Sequence, residues 1–372
     1  VIFRAHNSLP KFCANPPMHN KTWEALLLYI IFCCFNGSCG MRTLLSFGGF
    51  DTEGFTSSAE SHLIGSDSWQ TMNEMMNSRG HFASCVLKNK IWVLGGWDPY
   101  NKVRMDREDT DSKALKTVEI FDPAQNRWES GVNLASRRAF HKAAVLGNQL
   151  YVVGGFDGIK DLDLLDRLDL ERAEWVREHP MRRPRTGLGL GVVRGRIYVL
   201  GGQSGLEPLS TVESLDPREG AWRKEPEMLY HRAYPGSTWA GDCIFVAGGC
   251  FGQTMLSTCE MFDARRSRWV TLPSMSIARN GVALSVAPEL DLLVAAGGFD
   301  GRANCLRVVE SLDMSKSLAK GEWGVMPEML RVRDGPCLEF VEGAVAPATA
   351  LKAVKRRKVE GPQPRSPSPE PD

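Results

Sequence analysis

Residues 185–222 read RTGLGLGVVRGRIYVLGGQSGLEPLSTVESLDPREGAW. Four landmarks stand in this stretch: Arg185, the pair Gly201-Gly202 closing the apolar run Ile197-Tyr198-Val199-Leu200, then Glu213, then Trp222. The same order recurs on either side. Glycine pairs stand at Gly48 and Gly49, Gly95 and Gly96, Gly154 and Gly155, Gly201 and Gly202, Gly248 and Gly249, and Gly297 and Gly298, separated by 47, 59, 47, 47 and 49 residues. A period of about 40–50 residues marks a propeller or a similar array. Arg79, Arg138, Arg185 and Arg232 each precede a pair by 16 residues and Arg279 by 18, while Glu60, Asp166, Glu213 and Glu260 follow one by 12. A tryptophan comes nine residues after the acid in Glu60 and Trp69, Glu119 and Trp128, Asp166 and Trp175, Glu213 and Trp222, and Glu260 and Trp269, and thirteen after it in Glu310 and Trp323.

Each run before a Gly-Gly is short and rich in β-branched and aromatic residues, which reads as a strand buried on both faces. The repeat unit is then four short antiparallel strands punctuated by Gly, Asn, Asp and Pro turns. One such sheet cannot bury both of its faces, whereas six arranged radially can. The paired glycines suit a close backbone approach near the central axis, and the tryptophans suit wedges between neighbouring blades.

Arg, apolar strand, Gly-Gly, acid and Trp in this order resemble Kelch repeats. The resemblance covers about residues 41–343 and implies an all-β, six-bladed Kelch β-propeller of four-stranded antiparallel blades. Blade 1 departs from the pattern, with His62-Leu63 where Phe121-Asp122, Leu215-Asp216 and Phe262-Asp263 stand elsewhere. It also lacks an Arg-led opening strand before Gly48, while Arg333-Asp334-Gly335 and Cys337-Leu338-Glu339-Phe340-Val341 resemble such a strand with nothing after it. Residues 336–342 are therefore expected to complete blade 1 and close the ring.

The 45 basic and 44 acidic residues among 372 leave a net charge of +1, which argues against a surface given over to nucleic acid or membrane. Ten cysteines without a C-x-x-C pair read as small buried hydrophobes in a reducing compartment. Residues 1–40 fit no repeat; their 11-residue apolar run from Ala25 to Phe35 is short of the ~20 a membrane span needs, and Glu24 sits awkwardly for a signal peptide. The segment 344–372 reads as a disordered tail with a Lys355-Arg356-Arg357-Lys358 cluster, a candidate nuclear-import signal. Blade 2 carries an insertion of about Trp97 to Lys116, either a functional loop or a tolerated one. The expected compartment is the cytoplasm, with the nucleus as alternative.

Seven histidines show neither an i, i+4 pair nor a Cys/His metal spacing, and no nucleophile elbow or phosphate loop is present. The Gly187-Leu188-Gly189-Leu190-Gly191 run is expected to lie in a strand and pack against a neighbour. No catalytic residue, metal or cofactor is expected. The residues that gather at one rim are the candidate site: Phe50, Asp51, Trp97, Asp98, Phe156, Asp157, Gln203, Phe251, Phe299, Asp300 and Arg302 after the glycines, and His81, Phe140, Thr186, Tyr234 and Asn280 after the arginines. Aromatic rings supply contact area at low entropic cost and charges select partners; the competing reading is ordinary turn chemistry. The resemblance implies a non-catalytic module binding a protein client at this rim, as in Kelch-like adaptors of cullin ubiquitin ligases, with the cullin bound only through an upstream BTB region outside this sequence. A stand-alone Kelch scaffold is the alternative, and a Kelch-type enzyme is a further one.

Overall fold

In the run Ile197 to Leu200, alternate side chains leave the sheet in opposite directions. Ile197 and Val199 pack against the preceding blade with Tyr151, Val153 and Leu165, whereas Tyr198 and Leu200 pack against the following one with Ile244, Val246 and Phe262. Strands buried on both faces need to be apolar throughout, which is why the runs show no polar alternation. A computed structural model describes residues 42–99, 113–287, 290–302, 304–315, 321–342 and 345.

Six four-stranded antiparallel sheets are arranged as blades around a central channel. Blade 4 is typical: Gly189–Val193 is innermost, followed outward by Arg196–Leu200, Val212–Asp216 and Ala221–Glu225. The innermost strands of the other blades are Ala83–Leu87, Lys142–Leu146, Gly236–Ala240, Ala283–Ala287 and Cys337–Glu342. The last of these pairs with Arg42–Phe47 in the register Arg42↔Glu342 to Phe47↔Cys337, so the C-terminal strand completes blade 1 as its innermost strand. The core is divided into six apolar clusters, each filling the seam between two adjacent blades. Among the described residues no helix is long and apolar enough to cross a membrane.

Three sets of contacts join blade to blade. The second glycine of each pair, Gly49, Gly96, Gly155, Gly202, Gly249 and Gly298, donates its N–H to the carbonyl of the next blade's arginine at 2.8–3.0 Å. The expectation that the glycine pairs mark a close backbone approach thus holds at all six, including Gly96, Gly155 and Gly249, where the partners are Arg138, Arg185 and Arg279. The first glycine lies under that carbonyl: a Cβ on Gly201 would meet the Arg232 oxygen at 2.7 Å, and its φ of +53° suits no ordinary side chain. Each of Trp69, Trp128, Trp175, Trp222, Trp269 and Trp323 donates its indole N–H to a carbonyl of the preceding blade at 2.8–3.2 Å. The tryptophans are thus wedges that also clamp. In blade 1, His62 stacks on Trp69 where Phe121 and Phe262 contact Trp128 and Trp269.

The arginines are the largest fully buried side chains among the described residues. Arg185 donates to the carbonyls of Gly201 and Thr211 and pairs with Glu213 at 2.6 Å, while the other oxygen of Glu213 accepts the Arg182 amide. Arg79–Glu119, Arg138–Asp166, Arg232–Glu260, Arg279–Glu310 and Arg333–Glu60 repeat the pair. Blade 3 has the shorter Asp166, whose other oxygen is taken by Arg177 from the outermost strand. Blade 6, where the spacings lengthen to 18 and 13, has the loosest pair at 3.6 Å. The Gly187–Gly191 run enters the innermost strand of blade 4, where a Cβ on Gly191 would meet Ile244 at 2.6 Å.

Candidate partner-binding face

Strand direction puts every Gly-Gly loop and every Arg-containing loop on one face of the ring. Backbone bridges join the two kinds of loop: Phe50↔Asp334, Gly80↔Trp97, Ala139↔Phe156, Thr186↔Gln203, Ala233↔Cys250 and Asn280↔Phe299. The first loop residue after each glycine pair is thereby fixed.

One residue closer to the axis stands a second, continuous ring. Phe140, Gly187, Tyr234, Gly281 and Gly335 each donate a backbone N–H to the carbonyl of the preceding member, beginning at His81, and the His81 amide donates to Gly335 to close the circle, all at 2.7–3.3 Å. All six have φ between +51° and +59°. Three carry rings, and these pack together: His81 stacks on Phe140 at 4.5 Å, and Phe140 meets Tyr234 edge-on at 5.5 Å. The rings stand at this end of the channel and lie over the glycine members, so that a Cβ on Gly187 would meet Tyr234 at 2.5 Å and one on Gly335 would run into the His81 ring. Burial pushes the Tyr234 hydroxyl up to about 12 and lowers His81, whose Nε2 is 3.8 Å from Asp334.

The structure therefore divides the rim residues read from the sequence. His81, Phe140 and Tyr234 form the channel plug, whereas Thr186 and Asn280 belong to the bridges and not to the same position as the other three. Asp51 and Asp98 are 5% and 4% exposed, so they are not open contact groups. Asp51 accepts the Glu53 and Gly54 amides, and Asp98 accepts the Ser78 hydroxyl at 2.6 Å. Asp157 and Asp300 also accept amides of their own turns, and the Arg302 amide holds the Asp300 carboxyl below its usual range. Turn chemistry accounts for Asp51, Asp157 and Asp300, whereas Asp98 ties its loop to the Arg79 loop. Trp97, Phe156, Gln203 and Phe299 are half-buried, and Phe50, Phe251 and Arg302 are exposed. Trp97 lies 6.1 Å from both Phe140 and Phe156, which extends the aromatic floor outward from the plug.

Sequence reading missed four strongly exposed apolar groups of this face: Leu206 at 97%, Ile159 at 87%, Leu229 at 54% and Met76 at 51%. The signal was an apolar residue directly after a turn glycine, as in Gly158-Ile159 and Gly205-Leu206, where no strand period calls for one. The blade 2 insertion lies mainly outside the described residues, as do 1–40 and, except residue 345, 344–372. Six cysteines, Cys85, Cys243, Cys250, Cys259, Cys305 and Cys337, are free thiols.

Comparison with known families gives a match to the KLHDC2/KLHL20/DRC7 Kelch-repeats domain over residues 109–298, about half of the 372, and to the Kelch motif over 78–135. The chain belongs to the Kelch-repeat family. Among curated proteins it is similar to alpha-scruin of Limulus polyphemus, 30% identical over 33% of this chain and 13% of that one. It is also similar to Kelch-like protein 35 of Homo sapiens, 27% identical over 38% of this chain and 22% of that protein. The matched regions thus span less than a quarter of either relative. Among solved structures, one titled "Structure of YjhT" superposes with a TM-score of 0.61 at 12% identity, covering 75% of this chain and 96% of that one. That likeness concerns the fold alone. The Kelch landmarks are all accounted for by hydrogen bonds, ion pairs and seams inside the ring.

Proposed function

We propose that this Kelch propeller is a protein-binding module that takes its client on the Gly-Gly face. One observation carries the reading. Of eleven exposed large hydrophobic residues among those described, eight are in the loops of this face: Phe50, Met76, Ile159, Leu206, Leu229, Tyr230, Phe251 and Leu330. The other three, Leu63, Val176 and Val325, are elsewhere. Apolar side chains gathered on one face and mounted on bridged loops are what a binding surface needs. The face works by recognition and not by catalysis. The similarity to Kelch-like protein 35 supports the narrower reading, a substrate-recognition propeller of a cullin-ligase adaptor. In that setting a BTB region outside this sequence contacts the cullin.

The test is affinity capture from cells with the triple variant Ile159→Ser/Leu206→Ser/Phe251→Ser, against Val176→Ser/Val325→Ser as control. The loop variant loses a defined set of partners that the control keeps, at an unchanged melting temperature. Identical partner sets for wild type and loop variant sink the reading. If the adaptor role holds, depletion of the chain lengthens the half-life of a lost partner; an unchanged half-life leaves the scaffold reading.

A further inference from the structure

The channel behind the aromatic plug is a cavity of about 320 Å³, within the size range of small-molecule sites. It spans the innermost strands from the level of Phe82 and Pro336 to that of Val86 and Phe340. The repeat defines equivalent positions along its wall. Opposite the residue before each Gly-Gly stand Ala83, Gly189, Gly236, Ala283 and Cys337, but in blade 3 Lys142. Two residues further along each innermost strand stand Cys85, Ala144, Gly191, Thr238 and Ser285, but in blade 1 Glu339. At each level five blades carry a small uncharged residue and one carries a full charge.

These two charges line the same cavity without pairing. Among the described residues the Lys142 ammonium makes no hydrogen bond or ion pair, and no carboxylate lies within 4.0 Å of it. One oxygen of Glu339 accepts the Ser84 hydroxyl at 2.6 Å, and Ser84 in turn contacts the Cys337 thiol. The other oxygen is unengaged among the described residues. On the facing wall are Ser237, Thr238 and Ser285, with Ser237 Oγ accepting the Leu190 amide at 2.8 Å and its own proton left to donate. Burial lowers Lys142 and raises Glu339 to about 7, and in each case the opposite charge of the other group offsets part of the shift. Both side chains are half-buried and reach into the channel, and a repeat that places no charge at the ten equivalent positions does not need these two for its fold.

We propose that the channel binds one small zwitterion carrying an ammonium and a carboxylate, its carboxylate held by Lys142 and its ammonium by Glu339. Trp239 and Phe340 line the end of the cavity away from the plug. The site is separate from the client face and stands or falls independently of it.

The experiment is calorimetric titration of the purified full chain with glycine, L-alanine, L-serine, L-glutamine and β-alanine, with propionate and propylamine as single-charge controls. At least one zwitterion binds with one-to-one stoichiometry, at least tenfold tighter than either control. That affinity falls at least tenfold in Lys142→Met and in Glu339→Gln, and is unchanged in the loop-tip triple variant. Should the single variants fold poorly, the double variant Lys142→Met/Glu339→Gln restores a neutral wall and is used in their place. Absence of saturable binding to the wild type overturns the proposal, as does equal binding of the controls or retained affinity in the double variant.

Discussion

Arg232 and Phe251 belong to loops of one face, yet Arg232 is 0% exposed and Phe251 56%. Arg232 is repeated in every blade; Phe251 departs from its repeat, standing where Asp51, Asp98, Asp157 and Asp300 stand in four blades and Ser204 in a fifth. What repeats is consumed by the architecture, and what does not repeat is free to be read by something else. The same division holds in the channel, where Lys142 and Glu339 interrupt a run of small residues.

The division between repeated and unrepeated residues can be put to the test by substitution. The largest effect belongs to deletion of residues 337–342, which removes the strand paired along Arg42–Phe47 and exposes a β edge. Cooperative thermal unfolding is lost and the chain aggregates in size-exclusion chromatography; a sharp, unshifted melt would show that the ring does not depend on this strand. Next comes Glu260→Ala, which leaves Arg232 buried and uncompensated where both partners are 0% exposed. A loss of about 3–5 kcal/mol in denaturant unfolding is expected, and the apolar double variant Arg232→Met/Glu260→Leu loses less. Trp222→Ala removes a side chain that is 6% exposed together with its hydrogen bond to the His179 carbonyl. Its cost is also about 3–5 kcal/mol.

A smaller effect comes from Glu339. Its folded pKa, raised to about 7 from an ordinary 4.5, means that the folded chain keeps a proton the unfolded chain has released. Its contribution to stability therefore falls as pH rises from about 4.5 to 7 and is level above that. The melting temperature of wild type relative to Glu339→Gln should decline across this window; a constant difference would place the carboxyl in contact with bulk water. Smallest in stability is the loop-tip triple variant, at less than about 0.5 kcal/mol per substitution. A large loss there would make Ile159, Leu206 and Phe251 part of the architecture after all.

The fold was legible because each blade reuses the same few contacts. Arg185, Gly201, Glu213 and Trp222 bond to one another's surroundings through fixed backbone groups, so their spacing along the chain cannot drift. Even the ring closure could be read, from an opening strand at 337–341 with no blade to follow it. The face was legible only in outline. Its identity follows from strand direction, but depth does not. Tyr234 and Asn280 are each near an arginine, and a shift of one residue separates the plug from the bridges. Asp51 and Phe50 are adjacent, and the carboxylate turns inward to cap its own turn while the ring stays out. Nothing in residue type announces such differences. Lys142 and Glu339 went unread in the sequence, because their common cavity exists only once blades 1 and 3 are placed around one axis.

The pairing of Arg42–Phe47 with Cys337–Glu342 has a consequence for how the molecule is made. Its two strands are separated by 295 positions between residues 42 and 337. At synthesis rates of about 5–20 residues per second, the partner of the first strand leaves the ribosome roughly 15–60 s after it. Through that interval blades 2 to 6 can form and stack in order, while the first strand waits with one side unmatched. The ribosome-bound chain thus passes through a prolonged open arc whose leading edge is an unpaired strand.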